Sequence, residues 1–113
     1  MEKTLTNYSA YLKKIGNNHN LLSELDRELT GNLVFLYENQ VKRIKLEKAN
    51  FWKKTKLDSE TKISDTMVEA LWDITPEGQD EIKLKYTILG YEALLKSIKN
   101  SLISATVELK HLS

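Results

Sequence analysis

Apolar residues recur at helical intervals along almost the whole of this chain. The longest series is Leu84, Ile88, Tyr91, Leu95, Ile98, Leu102, Ala105, Leu109 and Leu112, separated alternately by four and three positions. That is the a/d repeat of a helix whose seam faces another helix; a strand, whose side chains change face at every residue, cannot use it. Thr75-Pro76-Glu77 supplies the start, because Thr75 can cap, Pro76 lacks only an N–H that would be unpaired anyway, and Glu77, Asp80 and Glu81 suit the positive end of the dipole. The spacing predicts a helix over 76–112, roughly 50–55 Å long at ~1.5 Å per residue.

Upstream, Leu22, Leu25, Leu29, Leu33 and Leu36 form a stripe that continues, shifted by one position, as Tyr37, Val41, Ile44 and Phe51. This predicts a second long helix over 20–57, with Thr30-Gly31-Asn32 as the expected kink or break, since glycine inside a helix costs ~1 kcal/mol relative to alanine. A short amphipathic helix over 3–15 follows from Leu5, Tyr8, Leu12 and Ile15 and is closed by Gly16-Asn17-Asn18. Residues 58–75 read as a connection holding one short helix, capped by Ser64 and apolar through Met67, Val68, Leu71 and Trp72. The expected fold is a single all-α domain of 113 residues, with long antiparallel, coiled-coil-type helices. The C-terminal seam is longer than the 3–15 helix can cover, which points to a homo-oligomer joined through Leu84, Ile88, Tyr91, Leu95, Ile98, Leu102 and Leu109. The long second helix of the same chain is the other possible cover.

Charge is segregated along the chain. Residues 41–56 hold seven Lys/Arg against the single acid Glu47, whereas residues 57–82 hold eight Asp/Glu against the single base Lys62, so a formal +1 conceals adjoining blocks of +6 and −7. Such blocks call for an electrostatic partner, which can be a polyanion, another subunit, or each other. The small net charge argues against a whole-surface mimic of DNA. No Cys is present, so disulfides and thiolate metal sites are excluded, and no apolar run approaches the ~20 residues of a membrane span. These features point to a cytoplasmic protein with no membrane partner.

Catalytic chemistry is hard to find. His19 and His111 lack His, Cys or acidic companions at ligand spacing, Asp58-x-Glu60-x-Lys62 lacks the turn glycine and closing Glu of a calcium loop, and no phosphate-cradling glycine loop or nucleophile elbow occurs. No catalytic residue, metal ligand or cofactor is therefore expected. The basic block offers more: Lys42, Arg43, Lys45, Lys48, Lys53, Lys54 and Lys56 surround Phe51-Trp52. Cations that track phosphates beside rings on which bases stack are what sequence-independent binding of single-stranded nucleic acid uses. On a helix Lys45, Lys48, Trp52 and Lys56 share one side. The same residues are also compatible with a packed Phe51 and Trp52 inside a solvated lysine rim.

Lys54-Thr55-Lys56-Leu57-Asp58, closing a long basic helix, resembles the basic-x-basic-Leu-Asp sequence of UvsY-type recombination mediators of bacteriophages. An acidic, Ser-containing connection, the helix start Asp80-Glu81-Ile82-Lys83, the segment Ile98-Lys99-Asn100-Ser101 and the pair Lys110-His111 continue the likeness over about residues 40–113. Lys56 stands where the family motif has Arg, and the C-terminal helix is about one heptad shorter. The resemblance implies a ring-like homo-oligomer that binds single-stranded DNA, with contacts from Lys54 and Lys56, and helps a RecA-like recombinase displace single-strand-binding protein. Two other readings stay open. One is a small helical phage protein that binds and inhibits a host defence protein, and the other is a structural coiled-coil subunit.

Overall fold

The computed structural model describes the backbone of residues 4–112 and the side chains of residues 4–104 and 106. All regular structure among them is helical: α1 (Leu5–Ile15), α2 (His19–Phe35), a π-helical segment (Leu36–Val41), α3 (Lys42–Asp58), α4 (Asp65–Asp73) and α5 (Pro76–Leu112). The chain divides into two compact units, the first formed by Met1–Val34 with Thr87–Ser113 and the second by Phe35–Tyr86.

In the first unit, Thr4 caps α1 by accepting a hydrogen bond from the Asn7 amide (3.2 Å), and Gly16 ends it at φ +56°, a conformation that costs glycine nothing. Asn18 caps α2 through the Leu21 amide (3.1 Å). Tyr8, Leu22, Leu25, Leu29 and Ile98 form the buried core, with Leu12, Ile15, Tyr91, Leu94, Leu95 and Leu102 packed around it. The Tyr8 hydroxyl donates to Glu28 (3.3 Å) and accepts from Asn32 Nδ2 (3.0 Å), which meets the polar requirement of a ring buried at this depth. Burial, with Glu28 nearby, pushes the Tyr8 pKa up against the opposing Asn32 hydrogen bond.

In the second unit, Ile44, Val68, Trp72 and Leu84 are buried, and Phe51 packs on Trp72 at 5.4 Å between ring centroids. Ser64 caps α4 by accepting from the Met67 amide (3.2 Å), as its sequence suggests. Thr75 caps α5 by accepting from the Gly78 amide (2.9 Å) while its hydroxyl donates to the Trp72 carbonyl (2.6 Å). Gly78 is buried at this corner, where an added Cβ would lie 2.0 Å from the Trp72 carbonyl oxygen. The corner therefore admits no side chain.

Two expectations change. The helix does not break at Gly31, which sits inside α2 with open space around it; the irregularity is the π segment, where Leu36 gives way to Tyr37. A π turn accommodates one extra residue, and one extra residue is what the slip in the apolar stripe requires. Second, the seam expected to join subunits is largely occupied within the chain. Ile98 is wholly buried, Tyr91, Leu95 and Leu102 pack against the same core, Leu84 is buried in the second unit, and Ile88 is half-buried. The α1 and α2 stripes supply the apolar cover for its Ile98 stretch, so no second chain is needed there. Leu109 lies outside the described side chains.

Candidate nucleic-acid interface

The site is built on α3 within the second unit. Ile44, Lys48, Phe51 and Thr55 follow at intervals of four, three and four, so the helix turns Lys48 toward the same side as its core residues. There the ammonium donates to Glu69 on α4 (2.9 Å) and to Glu81 on α5 (3.3 Å). Glu81 also accepts from the indole N–H of buried Trp72 (3.3 Å). Burial disfavours the Lys48 ammonium, but the two carboxylates outweigh it and hold its pKa above the ordinary lysine value. Lys48 is a structural cation, and its side chain is only 27% exposed. It is not available to a phosphate in this arrangement.

Glu69, Asp73 and Glu81 bring carboxylate oxygens within 4.8 Å of one another. A cation could bridge that spacing, but the Lys48 ammonium already supplies positive charge to two of the three. At the end of α3, Lys56 pairs with Asp65 and lies over the Trp52 ring, 5.6 Å from its centroid. Trp52 is half-buried, and its indole N–H is buried without a hydrogen-bond partner. The sequence left Trp52 open as a stacking surface or a packed ring; in the structure it is half-buried, with Lys56 over the ring and its polar edge turned inward.

Lys42, Arg43, Lys45, Lys53 and Lys54 are all exposed and form no ion pair among the described residues. The acidic block therefore neutralises two members of the basic block and leaves five. Exposed apolar side chains accompany them: Leu46 at 64%, Leu57 at 74% and Phe35, just before the π segment, at 60%. Sequence reasoning missed the Lys48 partners Glu69 and Glu81, although the core-like spacing of Lys48 was a usable signal. It also did not single out Phe35, which lies beside the leucine stripe and is exposed.

No helix among the described residues is long and apolar enough to cross a membrane. No family model, curated protein or solved structure matches the chain, so the functional reading rests on its own residues and their geometry.

Proposed function

We propose that the protein is a non-enzymatic accessory factor that binds single-stranded DNA through α3. The observation that carries this reading is the division of the basic block: Lys48 and Lys56 are engaged by acids, whereas Lys42, Arg43, Lys45, Lys53 and Lys54 are exposed and form no ion pair among the described residues. Five cations along one helix form the kind of field that attracts and holds a phosphate backbone. By resemblance to UvsY-type mediators, the bound strand would be delivered to a RecA-like recombinase against competing single-strand-binding protein. Self-association, if it accompanies that role, must use surfaces other than the buried part of the α5 seam.

The test is a titration of labelled oligo(dT), and of a duplex control, by fluorescence anisotropy at low and moderate salt. Binding that weakens steeply with salt, and that Lys53→Ala with Lys54→Ala weakens further, supports the proposal. Undetectable binding at low salt in the folded protein overturns it. A second reading draws on α4, where Met67 and Ile74, the residue that ends the helix, are both more than half exposed. That apolar pair favours a protein partner, as an inhibitor of a host enzyme would need; a recombinase contact would use it equally.

A further inference from the structure

We propose that the single strand lies along the outer face of α3 and that the ring on which a base stacks is Phe35, not Trp52. This rests on the nucleic-acid reading above and adds to it a path and a stacking residue. Helical structure is continuous from Phe35 through Asp58. Arg43, Leu46, Asn50, Lys53 and Leu57 follow at intervals of three, four, three and four, and all five are exposed, on the side away from Ile44 and Lys48. Across the π segment, Asn39 Nδ2 donates to the Phe35 carbonyl (3.0 Å), which ties the backbone at Phe35 to the next turn of this line. Phe35, whose side chain is exposed, therefore precedes on the same helical stretch a row in which cations, an amide and apolar side chains follow one another.

The charge favours an anionic occupant, because Arg43 and Lys53 on this face, with Lys42, Lys45 and Lys54 beside it, form no ion pair among the described residues and outnumber the acids of the same helical stretch, Glu38, Glu47 and Asp58. The apolar members narrow the choice. A single strand presents an anionic backbone together with flat apolar bases, and such strands are held by cations for the former and rings for the latter. The Arg43 guanidinium, planar and always charged, suits a phosphate oxygen pair. Trp52 cannot take the stacking role while Lys56 lies over its ring. An acidic amphipathic helix of another protein would satisfy the same charges and cover the same apolar side chains, and it is the alternative that the Phe35→Leu test below separates from a single strand.

The experiment uses the full chain and labelled oligo(dT) over a series of salt concentrations, with helicity and mass recorded for every variant. Phe35→Leu, which keeps an apolar side chain but removes the ring, should weaken binding by roughly 5- to 150-fold, the loss of one stacked base, at an unchanged salt slope. Phe35→Tyr should bind as the parent does. Arg43→Ala should reduce the slope by about 0.7, one phosphate contact. If Phe35→Leu binds like the parent while Arg43→Ala flattens the slope, the stacking proposal fails and the nucleic-acid reading survives. If Phe35→Leu instead lowers mass with binding unchanged, the row is a protein contact and the proposal is overturned. Failure of the parent to bind at low salt removes the reading and the proposal together.

Discussion

Replacing Lys48 with Met separates the structural cations of this protein from those proposed to bind DNA. The substitution keeps the length of the side chain and removes the charge that Glu69 and Glu81 share. Glu69 and Glu81, whose carboxylate oxygens lie with that of Asp73 within 4.8 Å of one another, then lose the cation between them and keep only the Trp72 indole N–H on Glu81. Coulomb repulsion at that separation is about 1 kcal/mol in water and about 3.5 kcal/mol at an effective dielectric of 20. The side chains of Glu69 and Glu81 are 40% and 32% exposed, which places the cost toward the watery end. Adding the lost charged hydrogen bonds, discounted for the same exposure, gives a destabilisation of ~2 kcal/mol, or a fall in Tm on the order of 8 °C. Glu81→Gln in the Lys48→Met background should recover part of it. Thermal or urea unfolding measures the stability, and the same samples are titrated with oligo(dT). The account predicts a clear loss of stability with a salt slope equal to that of the parent. A variant as stable as the parent, or a slope flattened as much as by Lys53→Ala, would refute the assignment of Lys48 to the scaffold.

Other outcomes follow from individual contacts. Gly78→Ala should destabilise by about 1–3 kcal/mol or more, because its Cβ meets the rigid Trp72 carbonyl, whereas Gly31→Ala should stabilise by about 0.5–1 kcal/mol, since it fills open space in a helix; urea midpoints read both. The raised pKa values of Lys48 and Tyr8 mean that their contributions are fully present below the unfolded-state values near 10 and are lost as pH rises through the higher folded-state values. The urea midpoint should therefore begin to fall above about pH 10, and the fall attributable to Lys48 should vanish in Lys48→Met. Trp52→Phe should leave oligo(dT) affinity within the ~0.5 kcal/mol typical of a neutral substitution, which anisotropy can decide.

The helices were legible in the sequence because their signals are local. Alternating intervals of four and three marked α5, and Ser64 and Thr75 marked two helix starts that their hydrogen bonds match, whereas the Thr4 cap lay inside the helix expected over 3–15. The π segment was legible only as its consequence, a one-residue slip between Leu36 and Tyr37, because the backbone geometry that absorbs the slip has no residue signature of its own. The cover for the α5 seam could not be assigned from the pattern, since an a/d repeat states that a partner helix exists without stating whose it is. The basic block was legible as charge but not as allocation. Which lysine meets which acid depends on contacts across 21 to 33 residues, as Lys48 with Glu69 and Glu81 illustrates. The exposure of Phe35 and the half-burial of Trp52 were not legible for the same reason: exposure is a property of the packed unit, and periodicity gives only the direction in which a side chain points.

Lysine footprinting tests the central claim most directly. The protein is acetylated under limiting conditions with and without saturating oligo(dT), and each lysine is quantified by mass spectrometry. The account predicts that Lys42, Lys45, Lys53 and Lys54 become protected by the strand, that Lys48 reacts slowly in both states because Glu69 and Glu81 hold it, and that exposed lysines outside α3, such as Lys13, Lys62 and Lys96, are unchanged. Protection centred on lysines outside α3, or a Lys48 that reacts freely alone and is shielded only by the oligonucleotide, would contradict it.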